Sequence, residues 1–161
     1  MRPVNTTDSA RDPELDLLDR ARSLLATDPA QAIVHLKALV NRGSVRGSHE
    51  LGRGYFELKD YKKAEDAFRI GATKNYAPSI QMLGLMFAKG IGVEKDLDEA
   101  RALLERASRL GHAFAKRGLG EVLVRGKYGA FQMFRGMWLI VISVMSVIAI
   151  SLHDQNDDRL R

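Results

Sequence analysis

The sequence predicts an all-α chain: a stack of helical hairpins forming an α-solenoid, followed by one C-terminal transmembrane helix. Three observations predict it. The pair Leu-Gly recurs at Leu51-Gly52, Leu83-Gly84 and Leu119-Gly120, at intervals of 32 and 36 residues. Around these pairs, apolar residues return every three or four positions, the period of a helix with one buried face. Finally, Gly136 to Leu152 (GMWLIVISVMSVIAISL) runs for 17 residues without a charge.

Residues 1–11 are polar and read as a disordered start. Asp12-Pro13 is a helix entry, with a capping carboxylate ahead of a Pro whose fixed φ suits the first helical position. Leu15, Leu17, Leu18, Ala21, Leu24 and Leu25 make one apolar face, and Asp28-Pro29 repeats the entry chemistry. A second face, Ala32, Ile33, Leu36, Leu39 and Val40, closes at Gly43. The hairpins read as 12–27 with 29–42, 45–59 with 61–74, and 77–89 with 96–110. A seventh helix, about 112–126, is a half unit leading to the anchor.

Three residues after each repeated Gly stands a larger apolar side chain: Tyr55, Phe87 and Leu123. The second helices begin at Asp60 and Asp96, each able to cap, with acidic residues in the first turns where the helix dipole favours them. Ala64, Ala67 and Phe68 correspond to Ala100, Leu103 and Leu104 at an offset of 36. The four extra residues of the longer repeat fall in the glycine turn at Gly90-Ile91-Gly92, which disturbs neither helix. Glycine inside a helix costs about 1 kcal/mol relative to Ala, so its recurrence at one repeat position needs a packing reason. Leu51, Gly52, Tyr55, Leu83, Gly84, Phe87, Leu119 and Gly120 are therefore assigned to packing between helices.

On these residues the chain resembles the Sel1-like repeat family. The run from Ala77 to Gly120 carries Ala77, Leu83-Gly84, Phe87, the Gly90-x-Gly92-Val93 turn, Asp96, Ala100, Ala107 and the Gly111-His112-Ala113 junction. The preceding unit, Val45 to Tyr76, fits with a shortened, tetratricopeptide-like turn. The resemblance implies a right-handed α-solenoid over residues 12–127 that acts as an adaptor in multiprotein complexes, several relatives being membrane-associated.

The uncharged stretch reaches roughly 26 Å as a helix, against a hydrocarbon core of about 30 Å. Phe131 to Phe134 lengthen it if Arg135 snorkels to the headgroups. Trp138 suits an interfacial position. Ser143, Ser146 and Ala149 recur every third residue, a small-residue stripe on which a second anchor could pack and self-associate. Residues 128–135 read as a basic juxtamembrane linker and 153–161 as a short tail. Lys116, Arg117, Arg125, Lys127 and Arg135 precede the stretch, so the positive-inside rule places the repeat domain in the cytoplasm. A bacterial inner membrane is the expected location, an organelle outer membrane the alternative.

Composition narrows the chemistry. The chain has no Cys, which removes disulfides, thiol nucleophiles and Cys metal sites. Its start lacks the apolar run of a signal peptide. The net charge of +5 is concentrated in residues 21–127; it reads first as a solvated surface and second as a face drawn toward anionic lipid. Basic residues are interleaved with acidic ones rather than gathered in runs, so nucleic acid is not expected as a partner. His35, His49, His112 and His153 do not pair at metal-ligand spacing, and His112 at a hairpin junction reads as structural. Gly52-x-Gly54 and Gly90-x-Gly92 lack the strand and the Lys-Ser/Thr ending of a phosphate loop. No catalytic, cofactor or metal residue is expected. What remains is a protein-binding surface, for which Arg53, Leu85 and Glu121, beside the Leu-Gly pairs, are the candidates. The expected function is a non-catalytic membrane-anchored scaffold. The alternative is a structural subunit of an integral-membrane complex, docked through its anchor.

Overall fold

The computed structural model describes residues 13–125 and 130–157. Eight helices are present among them: α1 (Pro13–Thr27), α2 (Pro29–Asn41), α3 (Val45–Glu57), α4 (Tyr61–Thr73), α5 (Ala77–Lys89), α6 (Leu97–Arg109), α7 (Ala113–Arg125) and α8 (Ala130–Asp157). The expected disordered start, the Asp12 cap, Lys127 and residues 158–161 lie outside the described residues. The chain forms two compact units, one ending at Ile70 and the other beginning at Gly71.

In the first unit α1, α2 and α3 pack on one another through Leu18, Ala21, Ala32, Ile33, Leu36, Leu39 and Leu51, all buried. The helices start where the sequence supplies caps. The Asp28 carboxylate accepts from the Gln31 N–H at 3.1 Å, and the Ser44 hydroxyl accepts from the Gly47 N–H at 3.0 Å. Gly52 lets α3 close on α4, because a Cβ there would stand 2.5 Å from the Phe68 ring. Tyr55 is buried beside them.

Among the described residues two carboxylates are buried in this unit, and each is held by cations. Glu50 lies 2.6 Å from Arg22 and 3.3 Å from Arg53. Glu65 lies 3.0 Å from Lys62 and 2.7 Å from Arg69. For Glu65, burial alone would raise the carboxyl pKa. Hydrogen bonds and attraction from Lys62 and Arg69 outweigh that and hold it below the usual range.

In the second unit α5 packs on α6, α6 on α7 and α7 on α8. Ala100, Leu104, Leu119, Val122 and Leu123 form the core, with Phe87, Ala88, Leu97 and Leu139 half-buried against it. Gly90 ends α5 in the left-handed region at φ 68°, as the glycine turn requires. Asp96 caps α6, its Oδ1 accepting from the N–H groups of Asp98 and Glu99 at 2.9 Å. Arg106 of α6 donates to the Ala72 carbonyl at 2.8 Å and to Asn75 Oδ1 at 2.6 Å, tying the turn before α5 to this unit.

The C-terminal third differs from the expectation. Residues 130–135, read as a linker, are the first turns of α8, and α7 is not a half unit. A Cβ at Gly120 would meet Ile140 Cγ1 at 2.6 Å and the Gly136 carbonyl at 2.7 Å. The same test at Gly84 meets Leu104. Gly84 with Leu104 and Gly120 with Ile140 are separated by one repeat of 36 residues. Helix α8 therefore stands to α7 as α6 stands to α5, completing a fourth hairpin. Among the described residues no helix is long and apolar enough to cross a membrane.

Candidate functional site

Helices α5 and α7 lie side by side in the second unit and leave a groove between their outward faces. Gln81, Leu85 and Lys89, four residues apart, line one wall. Phe114, Arg117, Gly118 and Glu121 line the other. Gly118 forms the floor, where a Cβ would come within 3.1 Å of Leu104 and 3.2 Å of Leu85. The groove encloses about 270 Å³ and is open to solvent.

Its chemistry is mixed. Leu85 and the 59% exposed Phe114 ring supply apolar surface. Lys89 and Arg117 carry positive charge, and Arg117 Nε lies 3.5 Å from Glu121 Oε1. At one end His112 Nε2 meets Gln81 Oε1 at 3.0 Å. Burial holds the His112 pKa below its ordinary value, so the ring is neutral and its Nε2–H donates to the amide oxygen. The His112 and Phe114 rings stand 5.9 Å apart. Such a surface suits an extended or helical protein segment with an apolar side chain flanked by charge.

Leu85 and Glu121 are thus brought to one groove. Arg53 belongs to the first unit, where it is engaged with Glu50 and, at 3.8 Å, with Glu57. Its position there is explained by the buried Glu50 carboxylate. Leu51, Gly52, Leu83, Gly84, Leu119 and Gly120 are buried at helix contacts, and Phe87 is half-buried against the core. In α8, Ser143 is buried on the arc shared with Gly136 and Ile140, whereas Ser146 is exposed and donates to the Ile142 carbonyl at 2.8 Å. The two serines do not share a free face, and the Ala149 side chain lies outside the described residues. Trp138 is 65% exposed.

Sequence reasoning missed Phe114, Gln81, Lys89 and Arg117. Phe114 carried a signal: it falls off the buried ridge of α7, made by Ala115, Leu119, Val122 and Leu123. An exposed aromatic outside the packing stripe of its own helix is a candidate contact residue, since aromatics are enriched at interfaces. Among the described residues no group of three or more His, Asp or Glu could hold a metal ion.

Comparison with known proteins bears on the repeat and the fold. Residues 77–112, which contain α5, the glycine turn, α6 and the His112 junction, match the family model of the Sel1 repeat. The chain is 29% identical over 75 residues, 47% of its length, to the ERAD-associated E3 ubiquitin-protein ligase component HRD3 of Candida glabrata. It spans only 9% of that relative. Among solved structures, a Sel1 repeat protein from Oxalobacter formigenes superposes with a TM-score of 0.70 at 20% identity, over 87% of this chain and 61% of that one. The protective antigen c5321 of uropathogenic Escherichia coli, which displays an SLR fold, gives 0.66 at 23% identity over 83% and 34%. Residues 77–112 thus match a Sel1 repeat, and the all-helical fold is similar to that of Sel1 repeat structures over most of the chain.

Proposed function

We propose that the chain is a non-catalytic scaffold that binds a protein segment in the α5–α7 groove while α8 holds it at a membrane. The observation that carries the binding reading is the open groove with Phe114 exposed over a floor made by Gly118. An exposed aromatic beside a Leu, ringed by Lys89, Arg117 and Glu121, is the composition of an interface centre with a charged rim. Membrane association is supported by the uncharged stretch from Gly136 to Leu152 and by the exposed Phe131, Phe134 and Trp138 on α8. The excess of Lys and Arg ahead of that stretch suits contact with the anionic lipid of a cytoplasmic leaflet. The Candida glabrata relative is described as an E3 ubiquitin-protein ligase component, in keeping with an adaptor's role.

Photocrosslinking in cells tests the groove. A crosslinking amino acid at Leu85 should give a discrete adduct that Phe114→Glu abolishes, whereas the same probe at the exposed Ala102 of α6 should not. An adduct at Leu85 that survives Phe114→Glu, or that appears equally from position 102, would remove the groove from the function.

A further inference from the structure

We infer that α8 lies in the plane of an anionic membrane surface, seated between α7 and the lipid, and does not cross the bilayer. The inference rests on the membrane reading above and concerns how that contact is made.

Two faces of α8 make different contacts. Gly136, Ile140 and Ser143 occupy the arc turned to α7. On the opposite side Phe131, Phe134, Trp138, Val141, Met145 and Ile148 are exposed, and Met133, Met137 and Val144 widen the stripe. At 100° per residue these positions cover an arc of roughly 160°. The repeat register shows that this face is special to α8. One repeat earlier, α6 has Asp98, Arg101, Glu105 and Arg109 where α8 has Phe134, Met137, Val141 and Met145. The inner positions Ala100, Leu104 and Ala107 correspond instead to Gly136, Ile140 and Ser143, equally small or apolar. Helix α8 thus keeps the repeat's inner face and exchanges the charged outer face for an apolar one.

A lipid surface fits this face better than a second copy of the chain. The spacing of Phe131, Phe134, Trp138, Val141, Met145 and Ile148 is that of a coiled-coil seam, but such a seam is narrow and flanked by charged pairs. Here the flanking positions include Met137, Ile142 and Val144. Charge complementarity points the same way. Lys116, Arg117, Arg125 and Arg135 gather on α7 and the first turns of α8 against Glu121, suiting anionic headgroups at that end, while Asp154 and Asp157 lie at the far end of α8.

Crossing conflicts with the packing. If Gly136 to Leu152 filled the hydrocarbon, α7 would follow its partner inward with Lys116, Arg117, Glu121 and Arg125. An in-plane seat keeps both the α7 contact and the lipid contact, as interfacial helices with one apolar face do.

The absence of Cys and the single Trp make the test direct. The full chain is bound to sealed vesicles of phosphatidylcholine and phosphatidylglycerol, carrying Lys74→Cys in the repeats or Asp157→Cys at the end of α8. An impermeant maleimide should label both positions equally without lysis. In a second chain, Trp138→Phe with Met145→Trp, quenching should be stronger from a shallow lipid-borne quencher than from a deep one. Trp138→Glu with Val141→Glu should lower vesicle binding at least tenfold with unchanged helical circular dichroism. Labelling of position 157 only after lysis, with deep quenching at position 145, would establish a crossing helix and overturn the in-plane seat alone. Failure of the full chain to bind vesicles, whether it is monomeric, dimeric or docked on a membrane protein, would overturn the seat and the membrane half of the proposed function together.

Discussion

His112 shows how one side chain records the environment of the groove. Its ring bonds Gln81 across the junction between α6 and α7, and burial disfavours the imidazolium. The folded chain therefore binds this proton more weakly than the unfolded chain, whose histidine titrates near about 6.5. The stabilisation is fully present above that value and is lost as pH falls through it toward the lower folded pKa. Glu65 has the same sign in a more acidic window: its folded carboxyl titrates below the ordinary carboxylate range, so its contribution disappears only near and below that range. Urea midpoints measured from pH 7.5 to 5 should fall for the parent chain and stay flatter for His112→Gln. Parallel curves for the two would mean that His112 is as solvated folded as unfolded.

At the scale of the helix, the repeated glycines set how closely each pair of helices can approach. The nearest atoms to an added Cβ at Gly84 are Leu104 Cγ and Cδ2, at 2.8 and 3.2 Å, and the Ala100 carbonyl at 3.3 Å. At Gly120 it meets the Gly136 carbonyl at 2.7 Å, and backbone cannot rotate away. Gly120→Ala gains about 1 kcal/mol of helix propensity but incurs overpacking of about 1–3 kcal/mol, at the upper end because backbone must move. Gly84→Ala should come closer to neutral. Chemical unfolding of the two variants checks the order, and a Gly120→Ala chain as stable as Gly84→Ala would show that α7 and α8 separate easily.

The same pairing shows what the sequence made legible. The Leu-Gly period, the Asp caps and the glycine turn placed α2 to α7, since each is a local signal with a fixed spacing. The fourth hairpin was equally present, at Gly120 and Ile140, one repeat beyond Gly84 and Leu104. It was hidden because the apolar outer face of α8 swamps the helical period on which the inner face would have been read. The groove was half legible: Leu85 and Glu121 flank the repeat motif, but Phe114 and Gln81 meet only through tertiary packing.

For the molecule as a whole, the decisive question is whether α8 is part of the fold or an appendage to it. Leu139 packs on the core of Leu104, Leu119, Val122 and Leu123, and Gly136 lies against Leu123 and Val124. Arg135 adds a 3.9 Å ion pair to Glu105, which is partly exposed and contributes little. Removing α8 would uncover the α7 side of that core. Burying one Leu or Ile side chain is worth about 1.5–3 kcal/mol, so losing Leu139, Ile140 and the cover of Leu123 should cost about 3–5 kcal/mol. That is a large share of the roughly 5–15 kcal/mol that holds a domain folded. A chain ending at Arg125 should therefore show a lower urea midpoint and weakened hydrogen-exchange protection confined to α7. The reference is a full chain kept soluble by Trp138→Glu and Val141→Glu, which alter only the exposed face. If the truncated chain matched that reference, α8 would contribute nothing to the second unit and would be free to leave α7 for the bilayer. If it lost stability as expected, any membrane contact must be one that leaves the α7–α8 hairpin intact.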